Sequence, residues 1–219
     1  MKTIVITAAS QKGGSGKSTI AINLALTIAA LNSRPMVALI DTDEQKSCVE
    51  TLSGNERDNL LVIAAAEKPH IAVEELKNKS KPRVIIIDTP PHSHAVMHQA
   101  ALVSDLVIIP VQPSPLDVRA VSITSRALAT IQAKANKKLL VRFLVNRLTS
   151  RTTLANEIRA VLEKLYPHPV LGVTLHDRQA YKLALISGQA VSELGKNSPA
   201  AEEFGQLTLE VTKLLKGIK

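Results

Sequence analysis

Apolar residues occur along this chain in short, often β-branched runs, and longer segments with helical spacing separate most of these runs. The pattern therefore predicts alternating strands and helices. The first helical segment is predicted to be amphipathic, with one face formed by Ile20, Leu24, Thr27, Ile28 and Leu31. The predicted strands are Ile4 to Ala8, Met36 to Ile40, Leu60 to Ala64, Val84 to Ile87, Leu106 to Val111, Leu140 to Val145 and Val170 to Leu175.

Two of these runs, at 84–87 and 106–109, are apolar at every position. Strands have this composition when helices cover both faces of a parallel sheet. The sequence therefore predicts an α/β fold with a doubly wound, mostly parallel sheet, helices on both faces and a single domain over residues 1–219. Ligands of such sheets bind at the carboxyl ends of the strands, so the residues after each run are candidates for a functional site.

The loop after the first strand has the composition of a phosphate-binding loop, or P-loop, and leads directly into a helix. Its glycines let backbone N–H groups point at an anion, and the helix N-terminus adds partial positive charge. Lys17 can neutralise β- and γ-phosphates, and Ser18 can offer its hydroxyl to Mg²⁺. The residues expected to contact a nucleotide here are Lys12, Gly13, Gly14, Ser15, Gly16, Lys17, Ser18 and Thr19.

An additional lysine at the start of this loop makes it resemble the mark of the ParA/MinD superfamily of deviant-Walker ATPases, Lys-Gly-Gly-x-Gly-Lys-[Ser/Thr]. The resemblance implies ATP and Mg²⁺ as cofactors. It also implies that Lys17 acts within its own subunit, while Lys12 crosses a dimer interface to the partner's nucleotide. Two facing phosphate sites bury many negative oxygens, so this added cation would make dimerisation depend on ATP. A solvated, idle Lys12 is the alternative.

Two later segments resemble further motifs of this family. The segment from Asp41 to Ser47 resembles the switch motif Asp-x-Asp-Pro-Gln-x-Ser, with Glu44 in place of the usual proline, a departure that loosens the turn. By resemblance, Asp43 orients the attacking water and Asp41 supports the metal shell, although two Asp at this spacing also suit a helix-capping turn. Asp88 matches the Walker B aspartate and is expected to hold Mg²⁺ through water. The implied metal set is Ser18, Asp43 and Asp88.

A proline-rich segment, residues 104–117, closely resembles the small ParF-like partition ATPases that lack an N-terminal helix-turn-helix. In that group this turn lies near the nucleotide and the subunit interface, so Pro113 and Asp117 are candidates for nucleotide contact or interface coupling. Prolines also suit a simple stop between a strand and a helix. Asn146 and Arg147 follow the sixth run, where related NTPases place adenine contacts, but Asn equally suits a turn. The resemblance covers most of the chain.

The charge of the chain indicates a polyanionic partner. The formal net charge is +8, and only two Phe, two Tyr and no Trp are present, so nucleic acid would be bound through its backbone rather than by base stacking. Arg178 and Lys182, spaced i, i+4 on a predicted helix, are the first DNA-binding candidates, and Arg147 and Arg151 are the second. A merely solvated pair of charges is the alternative.

Other features narrow the class of protein. Cys48 is the only cysteine, which excludes an internal disulfide, fits a reducing cytoplasm and indicates a small buried hydrophobe. We expect neither export nor a membrane span. His94 and His98 have the spacing of a metal pair, but solvated or phosphate-proximal histidines are the favoured interpretation. The helix predicted from Phe204 to Lys219 suits a membrane surface or the core, and core packing is favoured.

Together these features predict a ParA-type partition ATPase. It would form a MgATP-dependent sandwich homodimer, bind DNA without sequence preference on the nucleoid, and be reset when a centromere-binding, ParB-like partner stimulates hydrolysis. The alternatives are a MinD-like membrane regulator of division-site placement and an ATP-dependent amidoligase or synthetase. The sequence shows no added substrate domain for the latter.

Overall fold

The computed structural model describes residues 2–31, 36–66, 68–134, 138–149 and 154–217. Its strands are β1 (Ile4–Ala8), β2 (Val37–Asp41), β3 (Leu60–Ala64), β4 (Val84–Asp88), β5 (Leu106–Val111), β6 (Leu140–Leu148) and β7 (Val170–His176). They form one seven-stranded parallel sheet in the order β3-β2-β4-β1-β5-β6-β7. The predicted α/β class with a doubly wound sheet is confirmed.

Helices cover both faces of this sheet. One face packs on α1 and α9, and the opposite face packs on α3 to α6. The helices are α1 (Lys17–Ala30), α2 (Ser47–Leu52), α3 (Pro69–Lys79), α4 (His94–Val103), α5 (Pro115–Lys134), α6 (Leu154–Leu165), α7 (Gln179–Ser187), α8 (Val191–Leu194) and α9 (Pro199–Lys216). Successive residues of β1, such as Val5 and Ile6, therefore lie in different apolar clusters, as a central parallel strand requires.

The strand ends differ from the predicted ones in a way that affects the site. β2 and β4 each continue one residue further, so that Asp41 and Asp88 are the last residues of their strands. β6 continues to Leu148, which places Asn146 and Arg147 inside the strand rather than after it. The pairing of β6 with β7 shifts register here, and Arg147 has a positive φ of 57°. Because Asn146 and Arg147 are polar and lie in an irregular part of β6, this part of the sequence lacks the pattern of apolar residues that predicts a strand.

Helix α1 is not amphipathic as predicted. Every residue from Ile20 to Ala29 is buried, because α1 lies between the sheet and α9 in the largest apolar cluster. Leu31, assigned to the buried face, is instead 66% exposed and lies beyond the last helical residue. A helix that is covered on all sides needs no polar face.

The favoured interpretation of the C-terminal helix is confirmed for its described part. In α9, the buried side chains of Phe204, Leu207, Val211 and Leu215 belong to the same apolar cluster as α1. His94 and His98 lie on the exposed surface of α4, in agreement with the solvated interpretation. Among the described residues, no helix is both long and apolar enough to span a membrane.

Candidate functional site

The predicted site residues meet at the carboxyl edge of the sheet. β1 lies between β4 and β5, and the register pairs Ala8 with Asp88 on one side and with Ile108 on the other. Asp41 pairs with Asp88 on the neighbouring strand. The P-loop, which leaves β1, therefore lies beside both carboxylates. This is the edge at which ligands of doubly wound sheets bind.

Two glycines give the P-loop its curvature. Gly14 and Gly16 have φ of 69° and 98°, in the left-handed region that residues with a Cβ avoid, and Gly16 is the N-cap of α1. Gly16 is restricted for a second reason, because an added Cβ would collide with the side-chain amide of Asn146. The helix N-terminus and Lys17 thus follow directly from the curved loop, as an anion site requires.

The loop is braced from the ends of β5 and β6. Gln112 Nε2 and Arg147 NH1 donate to the carbonyl of Gly14 at 2.9 and 3.0 Å, and Asn146 Nδ2 donates to the carbonyl of Ser15 at 2.7 Å. Asn146 and Arg147 therefore hold loop carbonyls, and their adenine contact stays a prediction. Gln112 was missed by sequence reasoning, although its position directly after β5 was a usable signal.

Several polar groups around the loop lack the partners expected for buried atoms. The Ser15 hydroxyl and Asp88 Oδ1 have no hydrogen-bond partner of ordinary geometry among the described residues. Lys17 is buried and donates to the carbonyl of Lys12 at 3.2 Å. Burial lowers the pKa of Lys17, against the opposing charges of Asp88 and Asp43. Since buried polar atoms are normally paired, this arrangement favours a polar ligand in the loop.

Lys12 forms an ion pair within its own chain. Its Nζ atom lies 2.6 Å from Asp117 Oδ1, in an ion pair whose carboxylate is buried at the start of α5. The Ser114 hydroxyl donates to the other oxygen of Asp117. About two fifths of the Lys12 side chain remains exposed, with a relative accessibility of 42%. The structure thus brings Lys12 and Asp117 together within one chain. Pro113, which the resemblance also singled out, precedes this turn.

The two carboxylates of the switch segment, Asp41 and Asp43, differ in their burial. Asp41 is fully buried, and its Oδ2 accepts from the backbone N–H groups of Cys48 and Val49 at 2.8 and 3.2 Å. Asp41 thereby caps the first turn of α2, the alternative that the spacing had left open. Asp43 is partly exposed and accepts from Gln45 N at 3.0 Å. It lines a cleft of about 810 Å³ beside the switch segment, so its carboxylate is accessible to solvent.

Asp88 lies at the centre of the site and is 1% exposed. Its Oδ2 accepts from the thiol of Cys48 at 3.3 Å. Burial raises the pKa of Asp88 to about 6, and the charge of Asp41 adds to this rise, while Ser18 and Cys48 stabilise the charged form. Burial and the neighbouring carboxylates raise the pKa of Cys48 as well. A divalent cation at Asp88 would remove the main cost of ionising this carboxyl.

The first DNA-binding candidates do not form the predicted pair. Arg178 precedes α7 as its N-cap, with extended backbone, and its Nε and NH2 atoms donate to Glu203 Oε1 at 2.9 and 2.6 Å. The expectation that Arg178 and Lys182 project from one helix face is therefore wrong, because Glu203 binds Arg178 from α9. Lys182 is exposed on α7. Arg147 bonds the P-loop, and Arg151 lies outside the described residues.

Comparisons with known proteins find relatives that span almost the whole chain. The chain is 28% identical over 214 residues to a maintenance of carboxysome distribution protein A from Halothiobacillus neapolitanus, covering 96% of this chain and 97% of that protein. It is 25% identical over 237 residues to the chromosome-partitioning ATPase Soj of Thermus thermophilus, covering 94% of each.

A solved structure supports the fold. The septum site-determining protein MinD of Pyrococcus horikoshii, complexed with Mg-ADP, superposes with a TM-score of 0.75 at 19% identity, over 100% of this chain and 99% of that one. A family model matches residues 6–191, which include the P-loop, Asp88 and the loop-bracing residues. The chain belongs to the CobQ/CobB/MinD/ParA nucleotide binding domain family.

Proposed function

We propose that this protein is an ATPase that binds ATP with Mg²⁺ in the P-loop. The observation that carries the proposal is the buried Lys17 in a loop whose Ser15 hydroxyl, like Oδ1 of the adjacent Asp88, has no hydrogen-bond partner of ordinary geometry among the described residues. Phosphate oxygens would accept hydrogen bonds from the donors of the loop and pair with Lys17. A hydroxyl, a carboxylate and water are ligands that suit Mg²⁺. Ser18 and Asp88 would hold the ion, with Asp43 near it, and the bound ion would neutralise phosphate charge.

Hydrolysis in this site would depend on Asp43. Asp41 uses its oxygens to cap α2 and hold the switch segment in place, whereas Asp43 is accessible from the adjoining cleft. Asp43 therefore has the freedom to orient an attacking water, and Asp41 acts as its support. Catalysis would come mainly from positioning and charge stabilisation, so we expect slow turnover until a partner protein completes the site.

ATP would also control assembly into a homodimer. In the single chain, Asp117 neutralises Lys12 over 2.6 Å. To reach the partner subunit's nucleotide, Lys12 must exchange this carboxylate for phosphate oxygens, and only ATP-loaded subunits offer the γ-phosphate with its added charge. The half-exposed position of Lys12 is compatible with that exchange. Dimerisation and the release of Lys12 from Asp117 are then one event.

The dimer would bind DNA without sequence preference and move or segregate a DNA cargo. The net charge of +8 and the near absence of aromatic residues support contacts to phosphate rather than to bases. Two relatives are named for chromosome partitioning and for the maintenance of carboxysome distribution, which supports a function in positioning. A centromere-binding partner that stimulates hydrolysis would release the DNA, and the protein would act on the nucleoid.

Pelleting assays test this proposal against its rivals. The protein is mixed with Mg²⁺ and either ATP or ADP, and its sedimentation with DNA is compared with its sedimentation with anionic vesicles. We expect ATP-dependent sedimentation with DNA, which increasing salt weakens. Sedimentation with vesicles alone would favour a MinD-like membrane function. ATP turnover that requires a small carboxylic acid would favour an amidoligase, and either result would contradict the partition assignment.

A further inference from the structure

Beside the P-loop, three side chains with metal-binding atoms converge from separate parts of the chain. Asp41 ends β2, Asp88 ends β4 and Cys48 lies in the first turn of α2. One ligand atom from each lies within 4.8 Å of the other two. Among the residues that the structure describes, this is the one such group of three. All three are buried, with exposures of 0% for Asp41 and Cys48 and 1% for Asp88.

Hydrogen bonds link Cys48 to both carboxylates. The backbone N–H of Cys48 donates to Asp41 Oδ2 at 2.8 Å, and its thiol donates to Asp88 Oδ2 at 3.3 Å. Asp88 Oδ1 remains without a hydrogen-bond partner of ordinary geometry among the described residues. Two buried carboxylates and a thiol thus lie within one small cluster, and the charge of Lys17 lowers the pKa of Asp88.

We propose that Asp41, Cys48 and Asp88 form a binding site for a thiophilic divalent cation, Zn²⁺ or Cd²⁺. A thiolate with two carboxylates suits these ions, whereas Mg²⁺ prefers oxygen ligands and water. The ion replaces the thiol proton, which is released to solvent. The site differs from the expected Mg²⁺ position, since it uses Cys48 and Asp41 in place of Ser18, and the two share Asp88.

Sharing Asp88 makes the two ions competitors. A cation held by Cys48 withdraws Asp88 from the side of the P-loop and fixes α2, and with it the switch segment, to the end of β4. Zn²⁺ would therefore inhibit the enzyme at Mg²⁺ concentrations that otherwise sustain turnover. This consequence rests on the proposed ATPase function, but binding of the ion does not.

Cadmium titration of the nucleotide-free protein tests the site directly. Because Cys48 is the only cysteine, any cadmium-thiolate absorption in the ultraviolet must come from it. We expect one absorbing Cd²⁺ per chain in the wild type. Cys48→Ser should abolish the absorption and weaken Cd²⁺ binding by about tenfold or more, while a His94→Gln/His98→Gln control should retain both.

The folding of each variant is checked by thermal unfolding before titration. Absence of the absorption in folded wild-type protein, or unchanged Cd²⁺ affinity in folded Cys48→Ser, would overturn the proposal. In a second measurement, inhibition by Zn²⁺ in excess Mg²⁺ is expressed relative to each variant's own rate, and Cys48→Ser should need about tenfold more Zn²⁺. If the wild type lacks ATPase activity, the proposed function fails, while the cadmium titration still decides the metal site.

Discussion

Basic residues that the sequence predicted to bind ligands lie both at the P-loop edge of the sheet and on the surface around α7. Their charged groups, however, have different partners. Lys17 lies in a loop whose buried Ser15 hydroxyl lacks a partner among the described residues. Arg178, by contrast, already gives two hydrogen bonds to Glu203, which also accepts from Tyr181 at 2.8 Å. Lys17 therefore lies among buried polar atoms that a ligand could pair with, whereas Arg178 is already paired with a carboxylate of its own chain.

The largest effect is expected from Lys17→Ala, which removes the cation of the P-loop. Without it, the P-loop offers the phosphates only backbone dipoles beside the bound Mg²⁺, and ATP affinity should fall on the order of a thousandfold. Titration calorimetry with MgATP measures the loss. Lys77→Ala is the matched control, because Lys77 pairs with Glu74 on the surface of α3. Unchanged ATP affinity in Lys17→Ala would place the nucleotide elsewhere.

Asp88 should make the ligand-free protein less stable as pH rises. Its folded pKa of about 6 exceeds the usual 3.8, so the folded state holds this proton more tightly than the unfolded state. The resulting stability is present below about pH 4 and is lost as pH rises through about 6, a change of about 3 kcal/mol in the free energy of unfolding.

The variant Asp88→Asn should therefore exceed the wild type in stability at about pH 8, without Mg²⁺ or nucleotide, and lose that advantage at about pH 4. Urea unfolding at both pH values measures the difference. Asp58→Asn, at an exposed carboxyl, is the control. An Asp88→Asn protein with the same gain at both pH values would show that the gain does not come from ionisation.

Alanine substitutions at two glycines of the P-loop test the cost of backbone strain separately from the cost of a steric collision. Gly14→Ala should destabilise by about 1–2 kcal/mol, since nothing among the described residues lies within 4 Å of an added Cβ and only its positive φ is strained. Gly16→Ala should cost about 3 kcal/mol, because the new Cβ also meets Asn146. Denaturant unfolding measures both. Adding Asn146→Ala should recover part of the Gly16→Ala loss, and no recovery would contradict the collision.

The smallest effects concern the α7 surface, where the two predicted DNA-binding residues should now behave differently. Arg178→Ala breaks a partly exposed ion pair and should lower the free energy of unfolding by about 1–2 kcal/mol. Lys182→Ala should leave stability unchanged and reduce the slope of DNA affinity against salt by about one unit, if Lys182 contacts one phosphate.

Affinity for DNA is measured with ATP over a range of salt concentrations, and denaturant unfolding gives the stability of each variant. If Lys182→Ala keeps the wild-type salt slope, the DNA-binding surface lies away from α7. If Arg178→Ala lowers the salt slope without any loss of stability, then Arg178 contacts DNA after all, and the contrast between the two regions fails.

Sequence reasoning succeeded where local chemistry determines structure. The order of strands and helices predicted the fold, and the rule that ligands bind at the carboxyl ends of strands predicted the edge at which the P-loop and Asp88 lie. It failed where distant elements decide. Glu203 binds Arg178, which lies 25 residues earlier in the sequence, and Cys48 contacts Asp88, which lies 40 residues later. No local sequence pattern predicts either contact. The burial of α1 on all sides depends on packing against α9, although the apolar residues on every face of α1 were a usable signal of it.

The central claim, that ATP joins two chains through Lys12, is tested most directly by the mass in solution of Asp43→Ala with MgATP. Loss of the water-orienting carboxylate should preserve ATP, so sedimentation should find a dimer with ATP and a monomer with ADP. Adding Lys12→Ala should return the protein to a folded, ATP-bound monomer. A dimer of undiminished stability in that double variant would contradict the contact in trans, and a monomer of Asp43→Ala with bound ATP would contradict the switch itself.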